Sequence, residues 1–208
     1  MVNAAATEQT RARYQRIAPL YDWMEALAER RYQGWRERLW SLTRGPHILE
    51  VGVGTGKNMP FYPPGTEVTA IDLTPGMFKR AQRRAQALGV KVDLQLGDVQ
   101  ALNYPDDSFD DVVATFVFCS VPDPILGLQE IRRVLKPGGQ LLLLEHVRSA
   151  NPVLGTLMDL VNPLVVRVMG ANINRRTVEN VRASGLHLDR VEDLGRGGIF
   201  KLMVAHKE

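Results

Sequence analysis

After Pro46 the chain alternates short apolar runs with amphipathic stretches, a rhythm that constrains the fold more than any other feature of the sequence. The runs HILEV (47–51), VTAID (68–72) and VDLQL (92–96) have strand length. Between the second and third, Thr74-Pro75 opens a helix with proline in its first turn, and Gly89 stops it after Leu88. DVVATFVF (111–118), a helix over about 124–135, the turn KPGG (136–139) and LLLLEHV (141–147) extend the pattern. Runs apolar on both faces belong in a parallel sheet covered by helices. Two helical pieces follow, over about 153–168 and 174–184, then strand-like segments at 186–192 and 199–206 joined through LGRGG. A parallel crossover takes about a dozen residues or more, so these last two strands must be antiparallel. The expected class is α/β, a mostly parallel sheet with one reversed edge strand.

Other classes fall away. With 208 residues, 45% hydrophobic and 24% charged, the chain can close one core without disulfides or a structural metal. Cys119 is its one cysteine and neither CxxC nor HxxxH spacing occurs, so no metal site is expected. MVNAAATEQTRARYQR lacks the apolar core of a secretion signal, and Asp159, Asn162 and Arg167 interrupt the apolar stretch 152–170, which argues against a membrane span. The expectation is a cytoplasmic protein with one domain over 1–208, carrying a helical cap at 1–45 and a helical insertion at 149–184.

The segment EVGVGTG (50–56) follows the first strand directly. Glycines there let the backbone approach a ligand and take positive φ. Lys57 stands where the dinucleotide fingerprint needs its last glycine, and Asn58 stands where a P-loop needs Ser or Thr, so neither nucleotide motif is satisfied. Asp72, ending the second strand, can accept from two ribose hydroxyls. Asp98 follows the third strand and places a second acid at the sheet edge where ligands of open α/β folds bind.

Taken in order, EVGVGTG, AID with TPGM behind it, LGDVQALNYPDDSFD and LKPGG resemble the successive motifs of class I S-adenosylmethionine-dependent methyltransferases, over about residues 46–148. The resemblance implies a Rossmann-like seven-stranded sheet in the order 3-2-1-4-5-7-6 with strand 7 antiparallel. It implies S-adenosylmethionine as cofactor, with Glu50, Gly52, Gly54 and Gly56 along its methionine part and Asp72 on the ribose hydroxyls. Leu73 and Met77 would pack beside adenine or ribose, Asp98 would accept from the adenine amino group with Val99 beside the ring, and Thr115 would close the site. A methyl on a sulfonium is already activated, so the protein's task is to align donor and acceptor and exclude water.

The ends of the chain bear on the acceptor. The net charge of +3 resides between Glu8 and Arg44, where eight arginines face five acids. Ile17, Tyr21, Met24, Ala28, Tyr32, Trp35 and Leu39 recur at spacings of three and four, one helical face, flanked by Arg11, Arg13, Arg30, Arg31, Arg36 and Arg38. Pro19 divides the pattern, so a first helix ends near Ile17 and a second runs from about Leu20 to Leu42. Such a face suits an anionic membrane or a cover packed on the cofactor cleft, and both at once if Tyr14 and Tyr21 lie over the active site. No nucleic-acid-binding module is seen.

RYQRIAPLYDWME resembles the N-terminal opening of quinone C-methyltransferases and soluble bacterial phospholipid N-methyltransferases, and EHVRSANPVLGTLMDLVNPLVVRVMGANINRRT resembles enzymes that methylate alkyl thiols at membranes. The implied acceptor is amphipathic or lipid-like, phosphatidylethanolamine first, with a quinone precursor or a small thiol as alternatives. A cofactor-binding protein without catalysis that docks on membranes is the reading from another class. The insertion at 149–184 would wall the acceptor, and Tyr14 and Tyr21 would orient an amine. His146, at the end of the fifth strand, would take a proton or hydrogen-bond a loop. Cys119 reads as packing. The chain is expected to work as a monomer or dimer, with peripheral contact at the inner face of a membrane.

Overall fold

In a computed structural model, which describes residues 1–195 and 197–208, the strands are β1 (His47–Val51), β2 (Glu67–Asp72), β3 (Asp93–Leu96), β4 (Phe109–Thr115), β5 (Leu135–His146), β6 (His187–Leu194) and β7 (Phe200–His206). They form one seven-stranded sheet in the order β3-β2-β1-β4-β5-β7-β6. β1 pairs in parallel with β2 and β4, β5 continues in parallel from β4, and β7 runs antiparallel to both β5 and β6. The short connection makes β6 and β7 antiparallel as expected, but the reversed strand β7 lies between β5 and β6 rather than at the edge of the sheet, which β6 forms.

The helices are α1 (Ala4–Ile17), α2 (Tyr21–Trp40), α3 (Pro75–Leu88), α4 (Pro124–Val134), α5 (Pro152–Met169) and α6 (Thr177–Ala183). α3 begins at Pro75 and ends on Gly89 in the left-handed region, as its sequence punctuation requires. The Asp123 side chain accepts from Leu126 N–H to cap α4, and Asn151 accepts from Val153 and Leu154 to cap α5. On one face of the sheet, Leu49, Val112, Leu141, Leu143 and Met203 pack with Leu128 and Ile131 of α4. On the other, Ile48, Val113, Leu142, Leu144 and Leu202 pack with Leu39 and Trp40 of α2.

Two boundaries differ from the sequence reading. β4 stops at Thr115 rather than running to residue 118, because Phe116 turns to φ 57° and the N–H groups of Val117 and Phe118 leave the ladder to bond the Glu145 carboxylate. KPGG is a bulge inside β5 rather than a turn ahead of it: the register slips between Phe109 and Asp111, Gly138 takes φ 73°, and Gly138 and Gly139 exchange backbone bonds with Lys207.

Leu142 is fully buried in the middle strand of the α2-facing core. Leu142→Ala is expected to cost about 2–5 kcal/mol, read as a lowered midpoint in urea denaturation with an unchanged slope.

Candidate cofactor and acceptor site

The chain leaves β1 through Gly52, Gly54 and Gly56, all at positive φ. At Gly52 a Cβ would lie 2.4 Å from Val117 Cγ2, so glycine lets this turn nest against the loop after β4. Asp72, at the tip of β2, holds the turn from the side: Oδ2 accepts from Gly54 N–H at 2.9 Å and Oδ1 from Thr74 N–H at 2.8 Å. Burial pushes this carboxyl upward, while the two backbone donors oppose that shift. Asp98, past β3, accepts from Gln100 N–H at 2.9 Å and from the Thr7 hydroxyl of α1 at 3.3 Å.

These groups surround a cleft of about 110 Å³, partly open to solvent. Gly52, Gly54, Asp72, Leu73, Met77, Asp98, Val99 and Thr115 line one side, and Thr10, Tyr14 and Tyr21 close over it from α1 and α2. Eight of the ten residues expected around a cofactor are thus on the wall. Glu50 and Gly56 are not. Glu50 is buried behind it, where Oε1 accepts from Asn58 Nδ2 at 2.6 Å and Oε2 from the Tyr62 hydroxyl. Gly56 is packed against Met59 and Ala81.

Asn58 is the hub that composition and spacing did not reveal. Its amide nitrogen donates to Glu50 and, at 3.1 Å, to Thr115 Oγ1, while its oxygen accepts from Arg36 Nη1 at 2.8 Å. Arg36 in turn donates from Nε to Glu29 Oε1 at 2.9 Å and lies over the Phe116 ring. The expectation that Arg36 flanks a lipid-facing stripe is therefore corrected: the guanidinium is buried with its own carboxylate. Arg38 is likewise committed, to Glu192. The signal for Arg36 was Glu29 two helical turns earlier on the same face.

The N-terminal half of α2 is fastened through its acids. The Thr55 hydroxyl donates to Asp22 at 2.7 Å, and Lys57 pairs with Glu25 at 2.7 Å and Glu29 at 3.2 Å while lying over the Tyr21 ring. Tyr14 and Tyr21 are half-buried, and desolvation first, then nearby Cys119 for Tyr14 and Glu25 for Tyr21, pushes both phenols far above their ordinary range. Both hydroxyls keep their protons, so each can donate or accept a hydrogen bond but neither acts as a phenolate.

His146 does not reach this cleft. Its ring stacks on Phe116 at 6.5 Å between centroids, and burial lowers its pKa to about 4, leaving it neutral and a weak base. Its neighbour Glu145, which the sequence reading passed over, fixes the cleft wall instead. Glu145 Oε1 accepts from Val117 at 2.8 Å and Phe118 at 2.9 Å, holding Phe116 in its left-handed conformation, a strained state for a bulky residue. Cys119 is buried, with its thiol pushed up by desolvation, and packs as expected. Among the described residues no cluster of His, Cys, Asp or Glu could hold a metal ion. None of the residues of α5 lines the cleft; its expected role as an acceptor wall is not what this packing builds.

A family described as a methyltransferase domain matches residues 49–143. A phosphatidylethanolamine N-methyltransferase of Cereibacter sphaeroides is 38% identical over 113 residues, 53% of this chain and 56% of that protein. A thiol S-methyltransferase of Rattus norvegicus is 42% identical over 103 residues, 48% of this chain and 42% of that protein. A demethylmenaquinone methyltransferase of Deinococcus radiodurans is 33% identical over 165 residues, 76% of this chain and 68% of that protein. The chain thus spans about half the length of the first two relatives. A solved S-adenosylmethionine-dependent methyltransferase of Thermotoga maritima shares the fold, with a TM-score of 0.73 over 95% of this chain and 99% of that one at 20% identity. The chain belongs to the class I S-adenosylmethionine-dependent methyltransferases, and its cofactor is S-adenosylmethionine.

The cleft fits that group. A Cβ on Gly54 would meet nothing closer than 3.9 Å, so the bare backbone faces open space, and each Asp72 oxygen keeps a lone pair beyond its one backbone donor. When bound, S-adenosylmethionine supplies a methyl on a sulfonium sulfur and leaves as S-adenosylhomocysteine.

Two outcomes follow from this geometry. Asp72→Ala is expected to weaken S-adenosylmethionine binding by about ten- to a hundredfold in calorimetry, since hydrogen bonds to a charged group are worth roughly 1.5–3 kcal/mol each, with far-UV circular dichroism unchanged. Glu50 is pushed up to about 7 and Glu145 to about 8, both chiefly by desolvation. A carboxyl raised in the folded state binds its proton more tightly there than in the unfolded chain. Its contribution is therefore full below the unfolded value and is lost as pH rises through the folded one. Glu145→Gln should flatten the decline in unfolding free energy between the ordinary glutamate range and pH 8; an unaltered slope in urea titrations across that window would sink the assignment.

Proposed function

We propose that this enzyme transfers the methyl group to the amine of a membrane lipid, with phosphatidylethanolamine as the acceptor. The observation that carries this reading is the pair of tyrosines, Tyr14 and Tyr21, closing over the cleft lined by Gly52, Gly54 and Thr115. A lipid ammonium, with a pKa near that of lysine at about 10.4, must shed a proton before its lone pair can attack. Water takes the ammonium proton, and a tyrosine oxygen accepts from a remaining N–H, which points the lone pair along the line of displacement. The nitrogen then forms its bond to carbon as the carbon–sulfur bond breaks. The named phosphatidylethanolamine N-methyltransferase relative supports the acceptor class.

Methylation of a quinone precursor at carbon is the second reading, favoured by the relatives that match over three quarters of this chain. That chemistry needs a base to remove a phenolic proton, and the one histidine near the cleft is turned away from it with a depressed pKa. No helix among the described residues is long and apolar enough to cross a membrane, so contact with lipid would be peripheral. Incubation with cofactor labelled at its methyl and separate pools of phosphatidylethanolamine, demethylated quinone and alkyl thiol is expected to label the aminolipid. Tyr21→Phe should lower kcat there by about tenfold or more while leaving cofactor affinity intact. Label appearing in the quinone or thiol pool instead would overturn the reading.

A further inference from the structure

α5 is apolar on both its inward and its outward sides. Leu154, Gly155, Met158, Val165 and Val166 turn inward together with Asn162, while polar bonds at its edge tie the helix down. Asp159 is paired with Arg148 at 2.8 Å and accepts from Asn174 at 3.0 Å. Asn162 accepts from Ile173 N–H and donates to Asn172, whose own amide and backbone groups both donate to Cys119 O. Its outward side carries Val153, Leu157, Leu160, Leu164 and Val168, of which Val153, Leu160 and Leu164 are 79%, 77% and 66% exposed. Scattered exposed apolar residues need no explanation, but five at helical spacing on one face do.

α5 is anchored beside the cleft wall. The segment that anchors α5 from below rests on Cys119 and Val121, and the adjoining Ser120, Val121 and Pro122 form part of the cleft wall. At its far end, Gly170 packs against Arg13 and Tyr14 of α1. Just beyond, at the start of α2, Trp23 and Leu27 stand 80% and 84% exposed, two and six residues past the cleft-lining Tyr21. Asp159 and Asp22, acids on these elements, are already paired with Arg148 and with Arg80 and Arg84. Among the described residues, no carboxylate lies within ion-pairing distance of Arg13, Arg16 or Arg167.

We propose that the outward face of α5, together with Trp23 and Leu27, inserts into the interfacial layer of an anionic lipid bilayer and holds the cleft mouth against it. Apolar side chains would enter the acyl boundary while the unpaired arginines meet lipid phosphates, the division of labour of an interfacial helix. A second copy of this chain would instead bring the arginines of both partners together, which the charge disfavours. The inference rests on the lipid-acceptor reading for its purpose, though not for its geometry. It also moves the membrane surface away from Arg36 and Arg38, which are committed elsewhere.

The test is flotation of the full chain with vesicles of phosphatidylcholine alone and of phosphatidylcholine mixed with phosphatidylglycerol. The wild type is expected to float with the mixed vesicles, and the variant carrying Leu160→Gln and Leu164→Gln to bind them about tenfold or more weakly, with its S-adenosylmethionine affinity unchanged. In the wild type, brominated lipid should quench the Trp23 contribution to fluorescence, a difference abolished by Trp23→Phe. Equal flotation of wild type and double variant would overturn the proposal, as would a wild-type dimer that the double variant turns into a monomer. Vesicle binding without labelling of any aminolipid would count against the acceptor reading and leave the docking face standing.

Discussion

The structure turns on one carboxylate at a strand tip. Asp72 accepts from Gly54 and Thr74, and by doing so it fixes the left-handed glycine turn after β1 at the same time as it starts α3. Backbone donors satisfied by a buried acid cannot relax without leaving both partners unpaired in a low-dielectric site, so the turn is stiff before any ligand arrives. That stiffness lets a bare backbone serve as a wall, since alignment of a pre-activated methyl donor depends on position more than on any group with unusual reactivity.

The N-terminal cap is bound to this floor by polar contacts as well as by the apolar packing of Leu39 and Trp40. Arg36, Asn58 and Glu50 form a continuous buried chain from α2 to the cofactor loop, with Glu29 balancing the guanidinium and Thr115 drawn in from β4. Buried charges of this kind add little net stability but specify one arrangement, because any shift strands an ion without its partner. Glu145 does the same for the opposite wall, where two backbone donors keep Phe116 in a conformation it would not choose. The cleft is thereby walled by residues whose places are set from outside it.

The order of the parallel strands, the reversed β7 and the acids at the tips of β2 and β3 were legible because each rests on local chemistry: run length, a connection too short to cross over, a proline at a helix start. The residues whose surroundings the sequence did not convey share a different trait. Arg36, Glu50, His146 and the apolar residues of α5 all have side chains whose direction depends on what a distant element presents, and periodicity alone gives a face without saying what that face meets.

Sequence by itself determined the class of fold, the donor and most of the groups that line its cleft, since glycines at positive φ and carboxylates ending strands carry their meaning within a few residues. Tertiary packing decided the rest: that Arg36 goes inward to Asn58, that His146 turns behind Phe116, and that α5 buries Met158 and leaves Leu157, Leu160 and Leu164 outside. Those choices depend on which buried donors and acceptors remain unpaired once the sheet has closed, a quantity that exists only in three dimensions.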